Sequence, residues 1–149
     1  MKENNMTKAD KASEYFKGNL NCAQSVFSTF SPELDLDHVT AWKIATPFGG
    51  GLSHMREVCG AVAGALMVIG LKYGMTEDED LEAKDKSYAL AQEFASRFTS
   101  KHESINCHKL IGYDLDNAEE YEKAKSEGVF DRVCTNLVRD AVEILEEII

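Results

Sequence analysis

The fold of this chain is decided by residues 49–71, which read GGGLSHMREVCGAVAGALMVIGL. Three glycines lead into a short polar turn, and Cys59 then stands in a long apolar run, residues 58–71, that is rich in small side chains. This run is flanked by charged residues and is shorter than the about 20 residues that a membrane-spanning helix needs. We therefore predict a helix buried in the protein core over about residues 54–73, with Ser53 as its N-cap.

The rest of the chain is also predicted to be helical, because no run of alternating β-branched residues appears. Pro32 and Pro47 both lie where a helix should end or turn. Further helices are predicted over residues 8–16, 22–30, 37–45, 76–101, 104–111, 118–125 and 129–149. The sequence therefore predicts an all-α fold, a compact multi-helix bundle around the buried central helix. We expect a single helical domain over residues 1–149, with residues 1–7 disordered.

Two of these helices have apolar faces that should contact the core. The face predicted for the helix over residues 76–101 consists of Leu81, Tyr88, Ala89, Ala91, Phe94, Ala95 and Phe98. The face predicted for the last helix consists of Phe130, Val133, Leu137, Ala141, Leu145 and Ile148. Ser104 is the expected cap of the short helix that precedes Gly112.

The composition is that of an ordinary globular protein, with 44% hydrophobic and 28% charged residues. A net charge of -10 argues against nucleic acid or an anionic membrane as the main partner, because both require a basic surface. The N-terminus lacks the apolar segment of a secretory signal, so we expect a cytoplasmic protein in a reducing compartment. Cysteines in such a compartment are free thiols, metal ligands or transient redox partners. No CxxCH motif for attaching c-type haem is present.

The four cysteines are the main candidates for function. Cys22, Cys59 and Cys107 lie near predicted helix N-termini, where the helix dipole favours the thiolate form. Cys134 lies on the buried face of the last helix. The alternative for each cysteine alone is simple core filling, because free cysteine packs like a small hydrophobic residue.

The residues around the glycine loop are weaker candidates for binding a cofactor. Backbone N–H groups of Gly49, Gly50 and Gly51 could hold an anion, or the glycines could only let the chain reverse after the proline. His54 and Arg56 could join such a site. They could equally be a solvated histidine and an arginine that pairs with Glu57 or Glu33.

Gly60 and Gly64 place small residues four positions apart on the central helix. This spacing favours close helix packing, which could bring a cysteine of another helix or of a second subunit near Cys59. Together with the apolar C-terminal residues Ile148 and Ile149, it makes a homodimer a candidate arrangement.

The order of these motifs resembles the C_GCAxxG_C_C family, which is described as redox-active. The residues that carry the resemblance are Asn21-Cys22-Ala23, Phe48-Gly49-Gly50-Gly51, the stretch EVCGAVAGALM over residues 57–67, Asn106-Cys107 and Val133-Cys134. The resemblance covers the chain from about Cys22 to its end. It implies that all four cysteines belong to the family pattern, within an all-helical fold and an intracellular redox context. Asn21 stands where the family suggests glycine, and the haem-attachment signature of related split-Soret cytochromes is absent.

Two classes of function remain open from the sequence. The first is a redox protein, either with Cys59 as a thiol nucleophile activated by Arg56 and resolved by Cys22 or Cys134, or with all four cysteines ligating an iron–sulfur cluster. The second is a non-catalytic helical module with a structural zinc site of four cysteines, including Cys107, or with inert buried thiols. The sequence names no substrate; an unidentified redox partner or small molecule is the expected interactor.

Overall fold

Residues 6–149 are described by a computed structural model, and within them eight right-handed α-helices follow one another. Their bounds are α1 (Lys8–Lys17), α2 (Cys22–Phe30), α3 (His38–Ala45), α4 (Gly60–Tyr73), α5 (Leu81–His102), α6 (Cys107–Ile111), α7 (Ala118–Ser126) and α8 (Thr135–Ile148). A π-helical turn, Phe130–Cys134, leads into α8. These residues contain no strand, only an isolated antiparallel bridge between Val58 and Asn106. The predicted all-α fold is confirmed.

Helix α4 lies at the centre of the main core, where Val62, Ala65, Val68 and Ile69 are fully buried. Its most extensive contact is with α2. Gly64 makes this contact possible, because a β-carbon at that position would lie 2.7 Å from the carbonyl oxygen of Ala23. The close packing predicted from the small residues therefore occurs within one chain, between α4 and α2.

Gly60 acts in the same way one turn earlier, because a β-carbon there would lie 3.1 Å from that of Cys22. The helix that approaches Cys59 with its own cysteine is thus α2 of the same chain. The surface of α4 around Gly60 and Gly64 is consequently covered by α2 and cannot contact a second subunit. At the C-terminus, Ile148 and Ile149 are half-buried against the core, and the terminal Ile149 accepts hydrogen bonds from Lys72 and Tyr73.

The predicted start of the central helix is wrong. Helix α4 begins at Gly60 with Cys59 as its N-cap, whereas Ser53 has a left-handed backbone with φ of 55° and does not cap α4. The physical reason is that residues 50–56 form a separate left-handed turn, described below. The predicted end at Tyr73 is confirmed, and Gly74 is the C-cap there.

Two further predictions about helix faces and caps are wrong. Leu81 and Tyr88 are 61% and 59% exposed, because the first half of α5 extends beyond the core and only Phe94 and Phe98 are buried in this helix. The cap of α6 is Asn106, whose side chain accepts a hydrogen bond from the N–H of His108. Ser104 instead accepts from the N–H of Asn106.

Helices α1 and α8 pack against each other at the edge of the core. Helix α8 is strongly amphipathic, and its buried face includes the predicted Leu137, Ala141 and Leu145. Thr7 caps α1 in a capping box with Asp10. The prediction of disorder over residues 1–7 falls largely on residues 1–5, which lie outside the described residues. None of the described helices is both long and apolar enough to cross a membrane.

The packing of α4 on α2 leads to a prediction about stability. We expect Gly64→Ala to lower the free energy of unfolding by about 1–3 kcal/mol, because the new methyl group meets backbone that cannot rotate away. Gly70→Ala is the matched control, since a β-carbon at Gly70 meets nothing within 4 Å. We expect this control to raise the stability by up to about 1 kcal/mol, through the better helix propensity of alanine. Urea unfolding followed by circular dichroism measures both, and equal effects would contradict the packing described here.

Candidate functional site

The four cysteines, which lie far apart in the sequence, line one cavity of about 250 Å³. Its remaining wall is mostly apolar, and the residues concerned include Phe16, Leu110, Ile111, Leu115, Phe130 and Leu137. Cys59, Cys107 and Cys134 are each 3% exposed, and Cys22 is half-buried. All four thiols are free. The tertiary fold thus brings together the four sulfur atoms that the sequence singled out.

Cys22 is the first residue of α2, and its position is set by Asn21. The Asn21 side chain accepts a hydrogen bond from the N–H of Gln24 and donates one to the carbonyl oxygen of Thr46, both at 2.9 Å. Gly49 packs directly beneath this side chain, because a β-carbon at Gly49 would lie 2.5 Å from Asn21. Asn21 is therefore the N-cap of α2, at the position where the sequence resemblance suggests glycine.

Two backbone hydrogen bonds tie the segment of Cys59 to the segment of Cys107. The Cys59 N–H donates to the carbonyl oxygen of Ile105, and the Cys107 N–H donates to that of Glu57, both at 2.7 Å. These bonds flank the bridge between Val58 and Asn106. Cys59 is also the N-cap of α4, although its side chain makes no capping hydrogen bond.

Cys134 ends the π-helical turn that leads into α8. Its thiol lies close enough to that of Cys22 to raise the pKa of Cys22. Turns of this kind are rare and frequently lie at functional sites. Cys134 is buried, as its place on the apolar face of the last helix predicted, but it faces the cavity as well as the core.

The four cysteines therefore surround one cavity, and the thiols of Cys22 and Cys134 lie close to each other. Within residues 6–149, no three Cys, His, Asp or Glu side chains converge as the ligands of one metal ion would. A tetrahedral zinc site requires four donors around a single point. The four cysteines around the cavity do not have this geometry.

Burial favours the protonated form of Cys59 and Cys107. Desolvation raises the pKa of Cys59 to about 11 and that of Cys107 to about 12. The pKa of Cys22 is raised well above its ordinary value, first by the neighbouring thiol of Cys134 and then by burial. The prediction that a helix N-terminus and Arg56 lower the pKa of Cys59 is wrong. Burial outweighs the effect of the backbone N–H groups at the start of α4 on this pKa, and Arg56 acts on Cys107 instead.

The wall beside Cys107 is a left-handed turn, residues 50–56. Six of its seven residues have φ between 55° and 71°, and four of these six are not glycine: Leu52, Ser53, His54 and Arg56. Each such residue costs on the order of 1–2 kcal/mol, so the surrounding contacts must hold the turn in place. One contact is the hydrogen bond from the Ser53 hydroxyl to the carbonyl oxygen of Pro47, 2.7 Å long.

The predicted glycine loop divides into two parts. Gly50 and Gly51 line the cavity, whereas Gly49 packs under Asn21 and does not. A β-carbon at Gly51 would lie 2.6 Å from that of Cys107, and one at Gly50 would lie 2.1 Å from the imidazole ring of His54. These two glycines therefore admit neighbouring side chains in addition to turning the chain.

His54 and Arg56 differ in their relation to the cavity. His54 lines it and places its ring 5.0 Å from that of Tyr121. Arg56 does not line it, and it binds His108 and Asp114 rather than the predicted Glu57 or Glu33. No sequence pattern pointed to Tyr121 or Asp114, because both lie in a polar segment without a recognisable motif.

Burial of the thiols predicts how the stability of the reduced chain depends on pH. Between its ordinary pKa of 9.0 and about 11, Cys59 is protonated in the folded chain and ionised in the unfolded chain. The free energy of unfolding should therefore fall as the pH rises through this window, by on the order of 1 kcal/mol per pH unit from this group.

Cys59→Ser should remove this component, because serine does not ionise there. Urea unfolding of the reduced chain at several pH values from 7 to 11 measures the difference between the two proteins. Lysine and tyrosine titrate in both and cancel in that difference. Identical pH profiles would show that Cys59 is not desolvated.

The chain matches one family model, described as "Putative redox-active protein (C_GCAxxG_C_C)", over residues 20–148. No curated protein and no solved structure matches it. The match contains all four cysteines and the left-handed turn. Of the described helices, it leaves out α1 alone. The resemblance seen in the sequence is thereby confirmed, and the chain belongs to the C_GCAxxG_C_C family.

Proposed function

We propose that this chain is an electron-transfer protein whose four cysteines hold an iron–sulfur cluster. The observation that carries the proposal is the convergence of all four cysteines on one cavity with mostly apolar walls. The family description, a redox-active protein, agrees with this reading. A reducing, cytoplasmic environment, as expected from the sequence, would suit such a centre.

The spread of the thiols around the cavity favours a cluster over a single metal ion. Iron–sulfur clusters are held by four cysteine thiolates, which bind different iron atoms of the cluster and need not converge on one point. Cys22, Cys59, Cys107 and Cys134 would supply these four thiolates from the wall of one cavity. A zinc ion would require all four sulfur atoms to move toward one point.

The surroundings of the thiols also suit an anionic centre. Cys22 begins α2 and Cys59 caps α4, so two helix N-termini carry their partial positive charge toward the cavity. Binding of iron would displace the thiol protons that burial otherwise retains. When bound, such a cluster supplies one-electron transfer, and the apolar walls limit the access of water, which influences its reduction potential.

A second candidate function is thiol–disulfide exchange, and the proximity of the Cys22 and Cys134 thiols favours it. In this reaction the two thiols form one S–S bond. The two electrons and two protons that they lose convert the disulfide of a partner protein into two thiols. Cys59 and Cys107 would then take no part in the reaction.

Purification without air, followed by assays of iron, acid-labile sulfide and visible absorption, tests the proposal. We expect iron and sulfide in about equal amounts and a brown protein. Cys107→Ser and Cys134→Ser form an informative pair, because both should lose the cluster. His38→Gln, which lies outside the cavity beside Trp42, is the control and should retain it.

Other results would contradict the cluster. Colourless protein that takes up neither iron nor sulfide, and that forms a reversible disulfide lost in Cys134→Ser but kept in Cys107→Ser, would establish the second candidate. One tightly bound zinc ion per chain, lost in both variants, would establish a structural site and remove the redox function.

A further inference from the structure

The left-handed turn is in direct contact with one of the four cysteines. Gly51 approaches Cys107 so closely that a β-carbon on this glycine would lie 2.6 Å from that of the cysteine, and also 2.9 Å from backbone atoms of Arg56 and Glu57. The turn is strained, because four of its residues are left-handed without being glycine. If it relaxed, Cys107 would lose the wall that holds it in the cavity.

Helix α6, which begins with Cys107, cannot hold that residue in place by itself. The helix has five residues, and isolated helices of this length are unstable in water. Its backbone is tied to the chain before α4 by the hydrogen bond from Cys107 to Glu57, next to the one from Cys59 to Ile105. The position of Cys107 therefore depends on the segment that joins the turn to α4.

One side chain of the turn reaches across to α6 and to the loop after it. Arg56 Nη1 lies 3.0 Å from Nδ1 of His108, and Arg56 Nε lies 3.2 Å from Oδ1 of Asp114. An arginine N–H can only donate, so Nδ1 of His108 accepts and its ring carries its proton on Nε2. Arg56 thus binds one residue within α6 and one just beyond its C-terminal Gly112.

We infer that Arg56 is a positioning residue, which clamps the strained turn onto α6 and thereby fixes Cys107 in the cavity. The contacts that carry the inference are local and do not depend on what the cavity binds. Its consequence for iron, namely a less stable cluster when the clamp is removed, rests on the proposed function.

Arg56→Gln tests the clamp, and Arg97→Gln is the matched control. Arg97 is also partly exposed and also has two side-chain partners, the carboxylates of Glu93 and Glu147, but it lies on α5 outside the cavity. The readout is the rate at which a small neutral alkylating reagent modifies each cysteine of the reduced, metal-free, full-length chain. Mass spectrometry of peptides assigns the modification to individual residues.

A buried thiol reacts only when the structure around it opens, so its rate reports the local open population. We expect Arg56→Gln to raise the rate at Cys107 by about tenfold, which corresponds to about 1.4 kcal/mol. The rate at Cys134 should stay within about twofold of the parent protein, and Arg97→Gln should leave both rates unchanged. Arg56→Lys, which keeps the charge but loses the two-pronged geometry, should give an intermediate rate at Cys107.

Two outcomes would overturn the inference. An unchanged rate at Cys107 in folded Arg56→Gln would show that the clamp does not position this residue. An equal rise at all four cysteines would show a general loss of stability instead of a local one. If Arg56→Gln does not fold, Asp114→Asn removes one arm of the clamp, and the same two criteria apply to it. The iron content of the parent protein is measured separately, so a failed clamp and a failed cluster proposal remain distinguishable.

Discussion

The contact between helices α2 and α4 is the interaction on which the cavity depends. Gly64 lets the backbone of α4 approach the carbonyl oxygen of Ala23, and Gly60 lets it approach the side chain of Cys22. Because both helices begin at a cysteine or directly after one, their close packing also brings Cys22 and Cys59 to the same end of the bundle. The small residues of α4 thus serve the core and the site through one set of contacts.

The other half of the site is assembled with far less helical structure. Cys107 lies in a five-residue helix, and it reaches Cys59 through two backbone hydrogen bonds around an isolated bridge. The turn beside it has an unfavourable backbone conformation at four residues that are not glycine. Such a turn persists only where side chains such as Ser53 and Arg56 hold both ends, and strain of this kind is concentrated at functional sites in proteins.

The chemical character of the site follows from burial. The helix N-termini favour thiolates, but removal of the thiols from water disfavours them more strongly, and the pKa values of Cys59 and Cys107 rise to about 11 and 12. A protonated, buried thiol is a poor nucleophile at neutral pH, whereas a metal can still displace its proton. This contrast is why we propose a cluster rather than an exchange reaction that starts at Cys59.

The sequence by itself determined the helical class, the ends of most helices and the identity of the cysteines as a set. These features depend on local patterns: apolar residues at helical spacing, Asn21 as a cap, Gly74 after the last turn, and the order of the family motifs. Only the tertiary structure decided where α4 begins, that the four cysteines share one cavity, how far the pKa values of Cys59 and Cys107 rise and where Arg56 binds. Each of these depends on atoms from segments far apart in the chain, such as Gly51 against Cys107 or Arg56 against Asp114. Local sequence patterns do not predict such contacts, because the contacts form only after the helices have packed.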